Sequence, residues 1–248
     1  MDNPTRSAPV STAWPRTDAA AGAARTVAVA GATGLVGREI LQGLLADEGV
    51  AAVHALGRRP PQLQHPKLHF HQVDFTDFNA LKSLPPLDEV YLALGTTIKV
   101  AGSQPAFRAV DFDANYAVAR AARTLGARHA GVVSAMGADA RSRIFYNRVK
   151  GELEEALGAL GFEGLVIARP SFLAGDREAL GQPVRGGEKL ALRVSQWLKP
   201  LIPGNYRSIA SRDVAAALLR HVPHSRGRLV LSSGVMQADV RKRAGPGG

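Results

Sequence analysis

Residues 26–49 read "TVAVAGATGLVGREILQGLLADEG", and the reading of this stretch decides the fold. Thr26–Ala30 is a short apolar run that stops at a glycine, the pattern of a buried strand. Leu35, Val36, Ile40, Leu41, Leu44 and Leu45 then recur at helical spacing. Between strand and helix stand Gly31, Gly34 and Gly37. Gly31 permits a tight turn, Gly34 lets a ligand approach the backbone, and Gly37 lets the helix pack close to the strand. The first N–H groups of a helix have no partner within it and favour an anion. In this setting the G-x-x-G-x-x-G trio, with Thr33, Leu35 and Val36 between its members, predicts a cradle for a dinucleotide pyrophosphate. The competing reading is a turn with a purely structural purpose.

Downstream, the same alternation repeats. "VAAVHALGR", "LHFHQVDF", "EVYLALGTT", "HAGVVSAMGA", "GLVIARPSFL" and "RLVLSS" are strand candidates. "AFRAVDFDANYAVARAARTLG" reads as one long helix stopped near Gly126. "FYNRVKGELEEAL" reads as another, with Val149, Leu153, Ala156, Leu157 and Leu160 on one face. "SRDVAAALLRHV" is a third, with Ser211 as its N-cap and Asp213 in the first turn, where the helix dipole favours an acid. Strands that are apolar throughout are covered on both faces, so the expected fold is α/β: a doubly wound parallel sheet of Rossmann type in three layers. We expect a single such domain over residues 25–235, with an irregular substrate-side segment at 174–210, a flexible arm at 1–24 and a flexible tail at 236–248.

Composition bounds the function. The chain has 248 residues, 46% of them hydrophobic, enough for a domain that hides roughly 70% of its unfolded surface. No cysteine is present, which removes disulfides, thiolate nucleophiles and thiolate metal sites. The formal charge of +10 fits an anionic ligand, but the arginines are scattered and aromatics are only 6%, so nucleic acid is not expected as the main partner. No apolar run approaches the roughly 20 residues of a membrane helix, so no membrane partner is expected. The N-terminal stretch lacks the apolar region of a secretory signal, and Asp2 and Asp18 count against a transit peptide. A cytoplasmic location is expected.

Coenzyme choice is read from the second strand. NAD-selective sites place an acid about 20 residues after the glycine turn, to bond the ribose. No acid occurs between Val50 and Val73, and Arg58 and Arg59 stand at that strand's end. A guanidinium pairs well with a 2′-phosphate, which favours NADP(H) over NAD(H); the bland alternative is two solvated arginines. Asp74, at the next strand exit, is a candidate for the adenine amino group or a loop cap. Leu94, Gly95 and Thr96 end the fourth strand, where glycine lets the backbone lie beside the coenzyme.

Tyr146 and Lys150, four apart, share a helix face. Ser134 lies twelve residues ahead of Tyr146 at a strand exit, where doubly wound sheets bind ligands. A phenol titrates near pH 10, and a neighbouring ammonium favours its ionised form. Ser134 can then hold a substrate oxygen while Tyr146 exchanges a proton with it. Pro170 and Ser171, leaving another strand, can offer backbone contacts to a carboxamide. Arg169 can reach a phosphate or close an internal ion pair. Glu152, Glu154 and Glu155 read as a solvated helix surface. His69 and His71 share a strand face but lack a third ligand, so solvent-facing histidines are expected, with no metal. Asp176, Arg177, Arg185 and Lys189 are candidates for selecting an anionic substrate.

The order "GATGLVG", "GRR", "LGTT" with "AG" and "VD" following, "SAMGAD", "YNRVKGELE" and "RPSFLAGDR" resembles the atypical short-chain dehydrogenase/reductases. Within them it is most similar to the Tat-interactive-protein type of NADPH-binding oxidoreductase. The likeness spans roughly residues 26–222. It implies NADP(H) binding and a Ser134–Tyr146–Lys150 active site, with Gly31, Thr33, Gly34 and Gly37 as phosphate loop and Arg58 and Arg59 as the basic pair. Ala135 replaces a second serine common in this branch, and Asn115 is a counterpart for a helix asparagine of ordinary members. The expected activity is hydride transfer to or from a small carbonyl or alcohol whose identity the residues leave open. The alternative is a non-turnover NADPH-binding regulatory or scaffold protein that acts through a protein partner; a homo-oligomer is a separate candidate assembly. A third reading, nucleotide-sugar epimerase or dehydratase, is disfavoured by the short C-terminal portion.

Overall fold

The structure is a computed structural model that describes residues 24–75, 81, 83–171, 173–174 and 208–244. The N-terminal arm, most of the 174–210 segment with Asp176, Arg177, Arg185 and Lys189, and the last four residues lie outside the described residues.

Seven parallel strands form the sheet. They are β1 (Arg25–Ala30), β2 (Val50–Gly57), β3 (Leu68–Gln72), β4 (Glu89–Leu92), β5 (His129–Val133), β6 (Gly164–Arg169) and, last in the chain, β9 (Gly227–Ser232). Their order is β3-β2-β1-β4-β5-β6-β9, and β7 (Leu173–Ala174) pairs with β8 (Ile209–Ala210) apart from it. Strand order reverses between β1 and β4, which opens a crevice at their carboxyl ends.

Alternation within β1 explains the three layers. Val27 and Val29 face one side, with Ile40, Leu41 and Leu44 of α1 (Leu35–Ala46) and Val214 and Leu218 of a later helix, α6 (Ser211–His221). Ala28 and Ala30 face the other, with Val118 and Ala119 of α4 (Asn115–Thr124) and Leu153 and Leu157 of α5 (Phe145–Gly158). All of these side chains are buried, so both faces of β1 are shielded from water.

Three expectations are corrected. The long helix before Gly126 is present but not regular: it begins as α3 (Gln104–Arg108), winds through a π-helical turn (Ala109–Ala114) and continues as α4, preceded by the single turn α2 (Ile98–Ala101). Ser211 is the first helical residue of α6 rather than its cap, and the Ala210 position gives no side-chain cap. The stretch expected as a flexible tail from residue 236 is helical: α7 spans Ser233–Ala244 and buries Met236 completely. His221 of α6 meets Asp239 of α7 at 2.8 Å, a polar contact that sequence pattern does not reveal.

Candidate active site

At the crevice, the glycine turn is built as tightly as its spacing implies. Gly31 has φ +85°, and a Cβ there would fall 2.5 Å from the Ala93 carbonyl oxygen. A Cβ on Gly37 would sit 2.0 Å from the Gly31 oxygen, so α1 rests directly on the turn. Gly34 donates to the Gly31 carbonyl at 3.0 Å and is exposed along with Thr33 and Leu35. Val36 and Gly37 point inward, leaving the first-turn N–H groups of α1 as the polar lining. This glycine-rich cradle, facing a helix N-terminus, fits a dinucleotide pyrophosphate.

Arg58 and Arg59 follow β2 directly and are exposed, with no ion pair among the described residues. The Val73 amide donates to the Gly57 carbonyl at 3.0 Å, which brings Asp74 to the same rim. The structure thus gathers Arg58, Arg59 and Asp74 at one end of the crevice.

The β4 exit is clamped from the helix side. Asn115 Nδ2 donates to the Leu94 carbonyl at 3.1 Å, and the Thr96 amide donates to Asp111 Oδ2 at 2.9 Å. Asp111 Oδ1 lies 2.7 Å from Lys150 Nζ, and both side chains are buried. Gly95 lies over this pair: a Cβ there would be 3.6 Å from Asp111 Oδ1 and 4.0 Å from Lys150 Nζ. Burial pulls the Lys150 ammonium down, but the Asp111 carboxylate, with Tyr146 and Glu154 beyond it, more than compensates and its pKa lies above the ordinary lysine value.

Tyr146 opens α5, half-buried, with the Phe107 ring 5.4 Å away. Lys150 is one turn below on the same face. Ser134 departs from expectation. Its hydroxyl donates to Glu154 Oε1 at 2.5 Å, so it is committed inside the protein rather than offered to a substrate.

Glu154 is the residue that sequence reasoning misplaced. Expected on a solvated surface, it is fully buried. Arg169 meets it with two bonds, at 3.0 and 2.6 Å, and Arg228 with one at 3.0 Å. Its position four residues after Lys150 and eight after Tyr146 puts it on their face, a signal present in the sequence. Arg169 therefore closes an internal ion pair. The backbone contacts expected at Pro170 and Ser171 are also engaged: Met136 donates to the Pro170 carbonyl at 2.8 Å, and the Ser171 amide donates to Ser233 Oγ at 2.7 Å.

His69 is exposed as expected, but His71 is half-buried and shares a 2.8 Å hydrogen bond with His54 of β2. Burial, then His71 and His69, push His54 down to about 4. Among the described residues no group of three could hold a metal ion, and no helix is long and apolar enough to cross a membrane.

Fold and crevice together define an NAD(P)-binding protein of Rossmann fold. A short-chain dehydrogenase/reductase superfamily protein from Agrobacterium tumefaciens with bound NAD shares this fold, with a TM-score of 0.62 at 17% identity over 84% of this chain and 77% of that one. The chain belongs to the NAD(P)H-binding family, whose model matches residues 31–224. Relatives include Protein fmp52, mitochondrial, of Emericella nidulans, 40% identical over 61% of this chain and 68% of its own length. Protein FMP52, mitochondrial, of Coccidioides immitis is 38% identical over 78% of this chain and 85% of its own length. These names specify no activity. They overturn the cytoplasmic location expected from the sequence and point to a mitochondrial setting.

Proposed function

We propose that the protein is an NADP(H)-dependent oxidoreductase acting on a small carbonyl or alcohol. One observation carries this reading: an unbroken line of close approaches links the two halves of the site. Gly31 abuts the β4 exit at Ala93 and Leu94, and Gly95 of that exit covers Lys150. A nucleotide held by the glycine turn would be brought by this line toward Lys150, on whose helix face Tyr146 also stands.

The dinucleotide, when bound, supplies or accepts the hydride. Arg58 and Arg59 neutralise a 2′-phosphate at the far rim, and the first turn of α1 holds the pyrophosphate. In carbonyl reduction, Tyr146 gives its phenolic proton to the oxygen that gains negative charge, while Lys150 stabilises the phenolate left behind. Alcohol oxidation reverses each transfer.

Titration of NADPH and NADH by nicotinamide fluorescence tests the coenzyme assignment. NADPH binds more tightly, and Arg58→Ala narrows the gap; equal affinities in the parent protein refute it. With a substrate in hand, Tyr146→Phe keeps NADPH affinity and loses at least about 100-fold in kcat. Undiminished turnover by that variant removes the proton-transfer role.

A second reading rests on Ser134 and Ala135. With the one hydroxyl held by Glu154 and the other replaced by a methyl, the β5 exit offers no free serine at those positions. That favours a coenzyme-binding protein acting through a partner without turnover, for which Tyr146→Phe leaves the biological output unchanged.

A further inference from the structure

Asp111 is a carboxylate at a core-facing position. Phe107, Asp111, Ala114, Asn115 and Val118 are all buried, so the inward face of this helix carries one formal charge. An isolated carboxylate there would cost several kcal/mol in solvation. The π-helical turn from Ala109 to Ala114 presents it to Lys150 Nζ at 2.7 Å and to the Thr96 amide at 2.9 Å. Such turns inside helices often mark functional sites.

The other groups facing Lys150 are few. Along α5 the ionisable groups within electrostatic reach of it are Tyr146 and Glu154. The Val133 carbonyl of β5 lies 3.5 Å from Nζ, and the β4 exit presents the Gly95 backbone. Glu154 already serves Arg169, Arg228 and Ser134. Asp111 is thus the anion committed to Lys150.

We propose that Asp111 is a positioning residue that keeps the buried Lys150 charged and aimed at Tyr146, while its second oxygen fixes the coenzyme-side loop at Thr96. A buried lysine without a counter-ion sheds its proton, and a neutral lysine gives a phenolate no support. The proposal rests on the oxidoreductase reading given above, because it assigns Lys150 to Tyr146.

The test needs no substrate. Protein labelled with 13Cζ-tyrosine contains four tyrosines, and Tyr146→Phe assigns the resonance of interest. Asp111→Asn keeps an oxygen for the Thr96 amide and removes the charge. It raises the Tyr146 titration midpoint by about one pH unit or more, in the same direction as Lys150→Met. The double variant moves the midpoint no further than Lys150→Met alone, since Asp111 acts through Lys150. NADPH affinity, measured alongside, reports separately on the Thr96 loop that the second Asp111 oxygen holds.

An unchanged or lowered midpoint in Asp111→Asn overturns the proposal. So does loss of NADPH binding with the midpoint unmoved, which would make Asp111 a loop anchor only. Should Asp111→Asn fail to fold, the double variant, which lacks both buried charges, recovers the fold and keeps the raised midpoint. A double variant as unstable as the single one overturns the ion-pair account. Full turnover by Tyr146→Phe instead defeats the oxidoreductase reading, and the titrations distinguish the two failures.

Discussion

Gly34→Ala and Gly37→Ala test the coenzyme cradle from two sides. At Gly37 the new methyl would lie 2.0 Å from the Gly31 oxygen. An ordinary C···O contact is about 3.3 Å, so α1 must retreat by about 1.3 Å. Both partners are backbone, and no rotamer change relieves the clash. Overpacking of this kind costs about 1–3 kcal/mol, and the better helix propensity of alanine returns at most about 1 kcal/mol. A net loss near 2 kcal/mol lowers the Tm by roughly 4–8 °C for a domain of this size. At Gly34 the methyl would lie 3.4 Å from the same oxygen, and φ of −76° suits any residue. Gly34→Ala therefore folds with near-parental stability, but its methyl projects into the space the phosphates require. NADPH affinity falls at least about tenfold, equivalent to 1.4 kcal/mol. Thermal unfolding and nicotinamide fluorescence read the two effects separately. Undiminished NADPH binding by Gly34→Ala, or parental stability in Gly37→Ala, refutes the reasoning.

Two further outcomes follow from buried groups. Glu154→Ala strands the Ser134 hydroxyl and releases two guanidiniums that reach solvent, for a loss of at least about 2 kcal/mol, whereas Arg228→Ala costs less than about 1 kcal/mol; urea unfolding midpoints that fail to separate the two variants contradict the network. His54, held down to about 4 by burial and by His71 and His69, resists a proton that the unfolded chain accepts near pH 6.5. Its contribution is complete above pH 6.5 and drains as pH falls toward 4, by up to about 1.4 kcal/mol per pH unit, so His54→Leu flattens the acid limb of stability against pH, and an equally steep limb counts against this assignment.

Much of the architecture was legible because local pattern and global layer agree. The apolar run of β1, the glycine turn and the periodicity of α1 each point to one doubly wound sheet, and Gly126 ends α4's segment with φ +101° as a helix stop requires. What stayed hidden depends on partners distant in sequence. Glu154 looks like a surface acid until Arg228, 74 residues away, is brought beside it by β9. Ser134 looks like a substrate ligand until Glu154 claims its hydroxyl. The π-helical turn leaves no mark in the apolar spacing, because Asp111 occupies an inward position that pattern reading assigns to hydrophobic residues. His54 escaped notice for a similar reason: strand register, not spacing, sets it opposite His69 and within reach of His71.

The bond from the Ser171 amide to Ser233 joins residues 62 apart, tying the β6 exit to the start of α7. During synthesis the glycine turn, β4 and α5 all emerge before that hydroxyl does. A nascent chain halted short of α7 can assemble most of the sheet, yet its β6 exit lacks this bond. The link between the β6 exit and the start of α7 is thus made late in translation, after the glycine turn and α5 have emerged.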